Sequence, residues 1–357
     1  MKVVTVIGNR PQFVKAAAVS MLLREQHEEL LIHTGQHYDD DLSTIFFEEL
    51  GIPSPERQFG IGGGSNTEQT ARMLEALGPV LDEERPDAVL VYGDTNSTLA
   101  GGLAAAQRLI PVAHVEAGMR SFDRAMPEEL NRVLTDHLSD LLLCPTPTAV
   151  ENLQRESVVG RVELVGDVMV DVAELIRPRA MADDGPLEQA GVEPGGFLLA
   201  TTHRAGNVDD PERLRALVGV LRGASDLPVV LPLHPRTRAR LEAASLLGEL
   251  TAGDRVRVLP PLGYVPFTSL LTRAAGVLTD SGGVQKEAYL AGIRCMTMRD
   301  TTEWVETVQS GLNTLVDLDV DAARTALSAP LPQERPDLYG DGHAGARVVA
   351  AVGTLAG

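Results

Sequence analysis

The chain has 357 residues, 44% of them apolar, and carries 31 Lys and Arg against 50 Asp and Glu, for a net charge of −19. That length exceeds the roughly 250–300 residues at which a single core stops growing, so two globular domains are expected and a disordered or fibrous chain is excluded. An acidic excess with scattered cations opposes a phosphate backbone, which removes nucleic acid as an expected partner. The opening, MKVVTVIGNRPQ, has one short apolar run followed by polar turn residues. It is too short for the apolar core of a secretory signal or for a membrane span, so a cytoplasmic protein with no membrane partner is expected. Cys144 and Cys295 lie far apart in strand-like apolar runs and read as buried free thiols.

Short β-branched runs alternate with stretches of helical period, the pattern of a parallel sheet covered on both faces. In chain order the strand candidates are 3–8, 30–35, 88–94, 111–118, 141–146 and 162–167. Helix candidates lie over 12–24, 39–50, 66–84, 96–108, 127–139 and 147–156, with a further helix over 168–177. A Pro-, Gly- and acid-rich stretch then interrupts the pattern. It divides the chain into a domain over 1–177, a linker over 178–196 and a second domain over 197–357, with a C-terminal helix that can cross back to the first. The alternation restarts with strands over 197–203, 227–234, 255–262, 275–280 and 293–298. The fold class is therefore α/β, with two doubly wound Rossmann-like domains whose ligands belong beyond the carboxyl ends of the strands.

The first strand runs into Gly8-Asn9-Arg10-Pro11-Gln12, with Lys15 a helical turn later. This is not the G-x-G-x-x-G of a dinucleotide fold. Arg10 and Lys15 suit a phosphate or carboxylate; the plainer alternative is a turn arginine and a solvated lysine. The GIGGG stretch over 60–64 follows no convincing strand and reads as a flexible loop. Asp94 and Glu116 end consecutive strand candidates, and Glu128 opens the helix PEELNR. Asp94 is also a plausible helix cap and Glu128 suits a helix N-terminus, whereas Glu116 has neither explanation. Crowded carboxylates raise one another's pKa, which suits acid–base catalysis.

In the second half, Thr202-His203-Arg204 and His234-Pro235-Arg236 place His and Arg at strand ends, a combination suited to pyrophosphate. The segment from Asp280 to Glu287, DSGGVQKE, joins a strand end to a helix through a glycine pair. Its backbone N–H groups can cradle an anion, and Glu287 can accept from sugar hydroxyls; a simple helix cap is the alternative. No metal-ligand spacing is present, so no metal is expected.

GNRPQFVK, TGQHYD, FFEELGIP, VYGDTNST, HVEAGMRS, PEELNR, THRAGN, PLGYVPF, TDSGGVQKEA and RDTTEW occur in one order over nearly the whole chain. Together they resemble the non-hydrolysing UDP-N-acetylglucosamine 2-epimerase family. The resemblance implies a GT-B fold with the site in the interdomain cleft, a homodimer, a UDP-sugar substrate and no cofactor. It implies that UDP is eliminated to give 2-acetamidoglucal and then added back, interconverting UDP-N-acetylglucosamine and UDP-N-acetylmannosamine. Asp94, Glu116 and Glu128 match the acidic catalytic cluster of the family. Arg10, Lys15, Arg132 and His203 match residues that hold or discharge UDP. Ser281, Gly282 and Gly283 match the diphosphate turn, Glu287 a ribose contact and Phe267 a uracil neighbour.

Three departures stand out. Asn9 and Gln12 occupy the Thr and Glu positions of the common GTRPE opening. Gly206 stands where an HRxEN glutamate belongs to an activating UDP-N-acetylglucosamine site in bacterial members, which questions such activation here. Trp304-Val305 replaces Arg-Pro after RDTTE, a mark of a sub-branch with another sugar preference. The competing activities are a hydrolysing 2-epimerase, which releases free N-acetylmannosamine and UDP, and a GT-B glycosyltransferase acting on an acceptor.

Overall fold

The apolar runs form two parallel sheets. The structure, a computed structural model, describes residues 1–35 and 51–355 apart from the Arg10 side chain, so the expected helix over 39–50 and much of TGQHYD and FFEELGIP lie outside the described residues. The chain divides into two units, Met1–Leu175 with Asp337–Gly357, and Ile176–Pro336.

In the first unit the described strands are β1 (Lys2–Ile7), β2 (Glu28–His33), β3 (Arg57–Gln58), β4 (Ala88–Tyr92), β5 (Val112–Val115), β6 (Leu141–Cys144) and β7 (Arg161–Leu164). They pair in the order β3-β2-β1-β4-β5-β6-β7. Every residue of β4, β5 and β6 is buried, because helices cover both faces of a parallel sheet. On one face Val4, Val6, Val89 and Val91 pack against Met73 and Leu77 of the helix Asn66–Glu84. That helix starts from a capping box in which Ser65 accepts from the Glu68 N–H and Glu68 reaches back to the Ser65 N–H.

In the second unit the strands are β8 (Leu198–Thr201), β9 (Val229–Pro232), β10 (Val256–Leu259), β11 (Gly276–Thr279), β12 (Cys295–Thr297) and β13 (Asn313–Leu315), paired in the order β10-β9-β8-β11-β12-β13. Both sheets thus reverse their winding beside their first strand, between β1 and β4 and between β8 and β11. At such a switch point neighbouring loops diverge and leave a crevice at the carboxyl ends of the strands.

The stretch 178–196 differs from the linker expected of it. It holds the end of the helix Val168–Ala182 and the helix Gly185–Ala190, and it belongs to the second unit. Pro186 stands in the first turn of its helix, where a missing N–H costs nothing. The helix Ala344–Val352 belongs to the first unit. The Asp171 carboxylate there accepts from the Ala344 and Gly345 N–H groups at 3.1 and 2.8 Å, and a Cβ at Gly345 would lie 2.5 Å from the Ala18 carbonyl oxygen. Cys144 and Cys295 are buried free thiols, and burial pushes both up to about 12. Among the described residues no helix is long and apolar enough to cross a membrane, and no cluster of metal-ligating side chains occurs.

Candidate active-site residues

In the first unit, the switch point is tied together by an amide. Gly8 leaves β1 with no room for a side chain, since a Cβ would lie 1.9 Å from Ser97 Oγ. Asn9 caps the helix Arg10–Gln26 by accepting from the Gln12 N–H at 3.2 Å. Gln12 Oε1 accepts from the Gly8 N–H at 2.7 Å, while its Nε2 donates to the Tyr92 carbonyl at 2.7 Å and to Thr98 Oγ1 at 2.9 Å. A carboxylate cannot make that donation to Tyr92, so Gln12 is suited to joining the ends of β1 and β4.

Lys15, one turn into the same helix, extends its ammonium onto the Glu116 carboxylate. Both side chains are largely buried, and they lie against Gly93, where a Cβ would meet Glu116 Oε2 and Lys15 Nζ, each at 3.3 Å. Glu116 has a left-handed backbone with φ of 71°, a conformation that a residue with a Cβ adopts at a cost. Asp94 is not the helix cap that the sequence allowed. Thr95 caps the helix Asn96–Ala106, and the Asp94 carboxylate is instead paired with the Arg132 guanidinium.

Arg132 also donates to Glu129 at 2.8 Å. Burial works against its charge, but Asp94, Glu129 and Glu116 outweigh that and raise its pKa above the usual guanidinium value. The expectation of carboxylates crowded against one another is therefore corrected: Glu116 and Asp94 each meet a cation, as partly desolvated charges require. Glu128 stands exposed in the first turn of the helix Pro127–Leu138. Its neighbour Glu129 is buried and accepts from the Ser121 and Phe122 N–H groups at 2.9 and 3.0 Å. The i,i+3 spacing of Glu129 and Arg132 was the sequence signal for this contact. The GIGGG stretch follows the two-residue β3, and the Ile61 N–H donates to the Thr34 carbonyl at 2.8 Å.

In the second unit, the Asp280 carboxylate, wholly buried after β11, organises the turn that follows β8. It accepts from the His203 and Arg204 N–H groups, each at 3.1 Å, from Thr202 Oγ1 at 3.1 Å and from Asn207 Nδ2 at 3.3 Å. The His203 imidazole projects outward, half exposed, with Nδ1 3.7 Å from Asp280 Oδ1. His234 caps the helix Pro235–Ala243 and Arg236 is engaged by Asp209 at 2.5 Å, so this second His–Arg pair has local structural roles. Gly206 is exposed, and a Cβ there would meet nothing within 4 Å.

Ser281 precedes the helix Gly282–Ala291 without capping it through its side chain. At Gly282 a Cβ would lie 2.1 Å from Glu303 Oε1 and 3.3 Å from Trp304 Nε1, so the Glu303 carboxylate would have to move, whereas at Gly283 it would approach nothing nearer than Ser281 Oγ at 4.0 Å. Burial pushes the Glu303 carboxyl upward, but Arg299 at 2.9 Å and Arg204 outweigh it and lower its pKa. The Lys286 ammonium lies over the Trp304 ring, 4.5 Å from its centroid. Burial raises Glu287 to about 7 against the opposing charge of Lys286 and a hydrogen bond from Tyr264. Phe267, partly buried on the helix Tyr264–Arg273, packs against the core of this unit.

A family model described as UDP-N-acetylglucosamine 2-epimerase matches residues 21–353. The chain belongs to the UDP-N-acetylglucosamine 2-epimerase family. It is 49% identical to a UDP-2,3-diacetamido-2,3-dideoxy-D-glucuronate 2-epimerase of Pseudomonas aeruginosa, over 99% of this chain and all of that one. It superposes on the Methanocaldococcus jannaschii UDP-GlcNAc 2-epimerase in complex with UDP-GlcNAc and UDP with a TM-score of 0.91 at 40% identity, covering 99% of this chain and 100% of that one. The Neisseria meningitidis UDP-GlcNAc 2-epimerase bound to UDP-GlcNAc gives 0.86 at 27% identity, with 99% and 100% covered. The two parallel-sheet units are those of a GT-B-like fold.

Proposed function

We propose that the protein is a non-hydrolysing 2-epimerase that interconverts UDP-N-acetylglucosamine and UDP-N-acetylmannosamine by eliminating UDP to 2-acetamidoglucal and adding it back. The observation that carries the reading is the pair of charge contacts, Lys15–Glu116 and Asp94–Arg132, at the carboxyl ends of β5 and β4. A weakly acidic sugar carbon needs a base held close and partly desolvated, and each of the two carboxylates is paired with a cation. Asp94, Glu116 and Glu128 exchange protons with the sugar in this account. Arg10, Lys15, Arg132 and His203 meet the charge that develops on departing UDP, Ser281, Gly282 and Gly283 cradle its diphosphate, Glu287 accepts from its ribose and Phe267 neighbours its uracil. The protein then works without a cofactor in the cytoplasm, consistent with two free thiols, and as a homodimer; Leu130 and Leu134, exposed one turn apart on one helix, suit such an interface.

A second substrate is favoured by a specific observation. The 49% identical relative acts on a UDP-2,3-diacetamido-2,3-dideoxy-D-glucuronate, and this chain has Trp304 where the Arg of the common motif stands. The chemistry at C2 is the same for either sugar. Incubation with each UDP-sugar, with free UDP quantified against total UDP-sugar, tests both points. Epimer formation at constant UDP-sugar supports the reading, and stoichiometric release of UDP overturns the non-hydrolysing part of it. A higher kcat/KM for the glucuronate selects the second substrate.

A further inference from the structure

Two buried residues outside the proposed chemistry join the turns that carry Asp94 and Glu116. His114, in the middle of β5, and Asp136, on the helix Pro127–Leu138, are both inaccessible to solvent. The imidazole Nε2 meets the Gly93 carbonyl at 2.7 Å, which can only accept, and Nδ1 is hydrogen-bonded to Asp136 Oδ1 at 2.7 Å. The other oxygen of Asp136 accepts from the Gly118 N–H at 3.1 Å and from Arg120 at 2.7 Å. Arg120 in turn forks onto Glu156, with both contacts at 2.7 Å.

The chain is therefore Gly93 carbonyl, His114, Asp136, Gly118 N–H. Gly93 immediately precedes Asp94 and lies against the Lys15–Glu116 pair; Gly118 lies two residues after Glu116. All three turn residues have left-handed backbones, with φ of 63° at Gly93, 71° at Glu116 and 79° at Gly118. A strained residue such as Glu116 persists only where its surroundings over-determine it, at a cost of about 1–3 kcal/mol. Nothing about packing requires a polar pair here, because the adjoining strand positions are filled by Val and Ala. A buried carboxylate and imidazole with every near acceptor and donor matched are a costly way to fill space and an effective way to fix geometry.

We infer that His114 and Asp136 are positioning residues that set the spacing of the Asp94 and Glu116 turns, acting through the Gly93 carbonyl and the Gly118 N–H. The inference rests on the roles proposed above for Asp94 and Glu116. Two variants probe the two ring nitrogens separately. In His114→Gln the amide nitrogen reaches the place of Nε2 and keeps the bond to Gly93. In His114→Asn it takes the place of Nδ1, keeps the bond to Asp136 and leaves the Gly93 carbonyl unmatched.

Turnover of UDP-N-acetylglucosamine and binding of UDP are measured for both variants, with melting temperatures as the control for folding. The expected result is that each variant, having lost one link, lowers kcat by about 10- to 100-fold, up to the scale of a misplacement of about 1 Å, with KM and UDP affinity unchanged in both. An unchanged kcat in both variants, or losses that appear in KM or in UDP affinity, overturn the inference. A second measurement uses the unsubstituted protein: nitrogen NMR of the His114 ring must show hydrogen on Nε2, since the Gly93 carbonyl it faces can only accept. An Nε2 without hydrogen removes the link to Gly93 and overturns the inference whatever the variants do. If the unsubstituted protein turns over neither UDP-sugar, the proposed function fails, and the NMR result alone decides the positioning chain.

Discussion

Burial of Glu287 makes stability and ligand binding respond to pH in opposite ways. The side chain sits on the helix that begins at Gly282, accepts from Tyr264 and has its pKa raised by burial from 4.5 to about 7. A carboxyl whose folded pKa exceeds its unfolded one takes up a proton on folding between the two values. Its stabilising contribution is complete below pH 4.5 and is lost as the pH rises through 7. The interval corresponds to about 3 kcal/mol, an upper figure for a side chain that retains some contact with water. Glu287→Gln keeps the volume and an acceptor for Tyr264 but removes the titration. Relative to the parent, the variant should gain about 2–3 kcal/mol between pH 4.5 and pH 8, read by urea unfolding at a series of pH values. Calorimetry at pH 8 should show UDP bound at least tenfold more weakly, because a charge-assisted acceptor for the ribose, worth about 1.5–3 kcal/mol, is gone. A stability difference that does not vary with pH, or unchanged UDP affinity, would refute the reasoning.

Glu116→Gln should leave UDP affinity nearly intact while lowering turnover by about 10³-fold, since one proposed base is removed without altering the diphosphate turn; unchanged turnover would take Glu116 out of the mechanism. Gly282→Ala displaces the Glu303 carboxylate, whose Oε1 lies 2.1 Å from the added Cβ, and calorimetry should show UDP binding weakened by about tenfold in a protein that still folds, one order of magnitude being about 1.4 kcal/mol. Gly93→Ala meets a φ of 63° and presses on the Lys15–Glu116 pair; it should cost about 1–2 kcal/mol in urea unfolding and reduce kcat as well. With no carboxylate at Gly206, epimerisation of UDP-N-acetylmannosamine should start without added UDP-N-acetylglucosamine, and a lag abolished by adding that sugar would contradict the expectation.

The central strands were legible because each is buried on both faces and so reads as an unbroken apolar run. The edge strands were not: β3 is the polar pair Arg57–Gln58 and β13 only Asn313–Leu315, too short to show a period. Residues 178–196 looked like a linker because Pro178, Gly185 and Pro186 read as breakers, yet the helix Val168–Ala182 runs through Pro178 and Pro186 opens the next. For the proposed site, strand ends pointed to Asp94, Glu116, His203 and the turn at Ser281. What escaped were the side chains that hold them. Asp280 was seen as part of a turn, while its collection of donors from Thr202 to Asn207 depends on β8 lying beside β11. His114 and Asp136 are single polar residues 22 positions apart, and only the pairing of strand and helix brings them together. In PEELNR the exposed glutamate and the buried one are adjacent, and the side facing Arg132 is settled by the helix phase.

The most direct test of the account is proton NMR of the products after incubation with UDP-N-acetylglucosamine in deuterated water. Elimination and re-addition predict UDP-N-acetylmannosamine carrying deuterium at the carbon that bears the acetamido group, with deuterium also entering recovered substrate as equilibrium is approached. Epimer formed without deuterium at that carbon would contradict the proposed route.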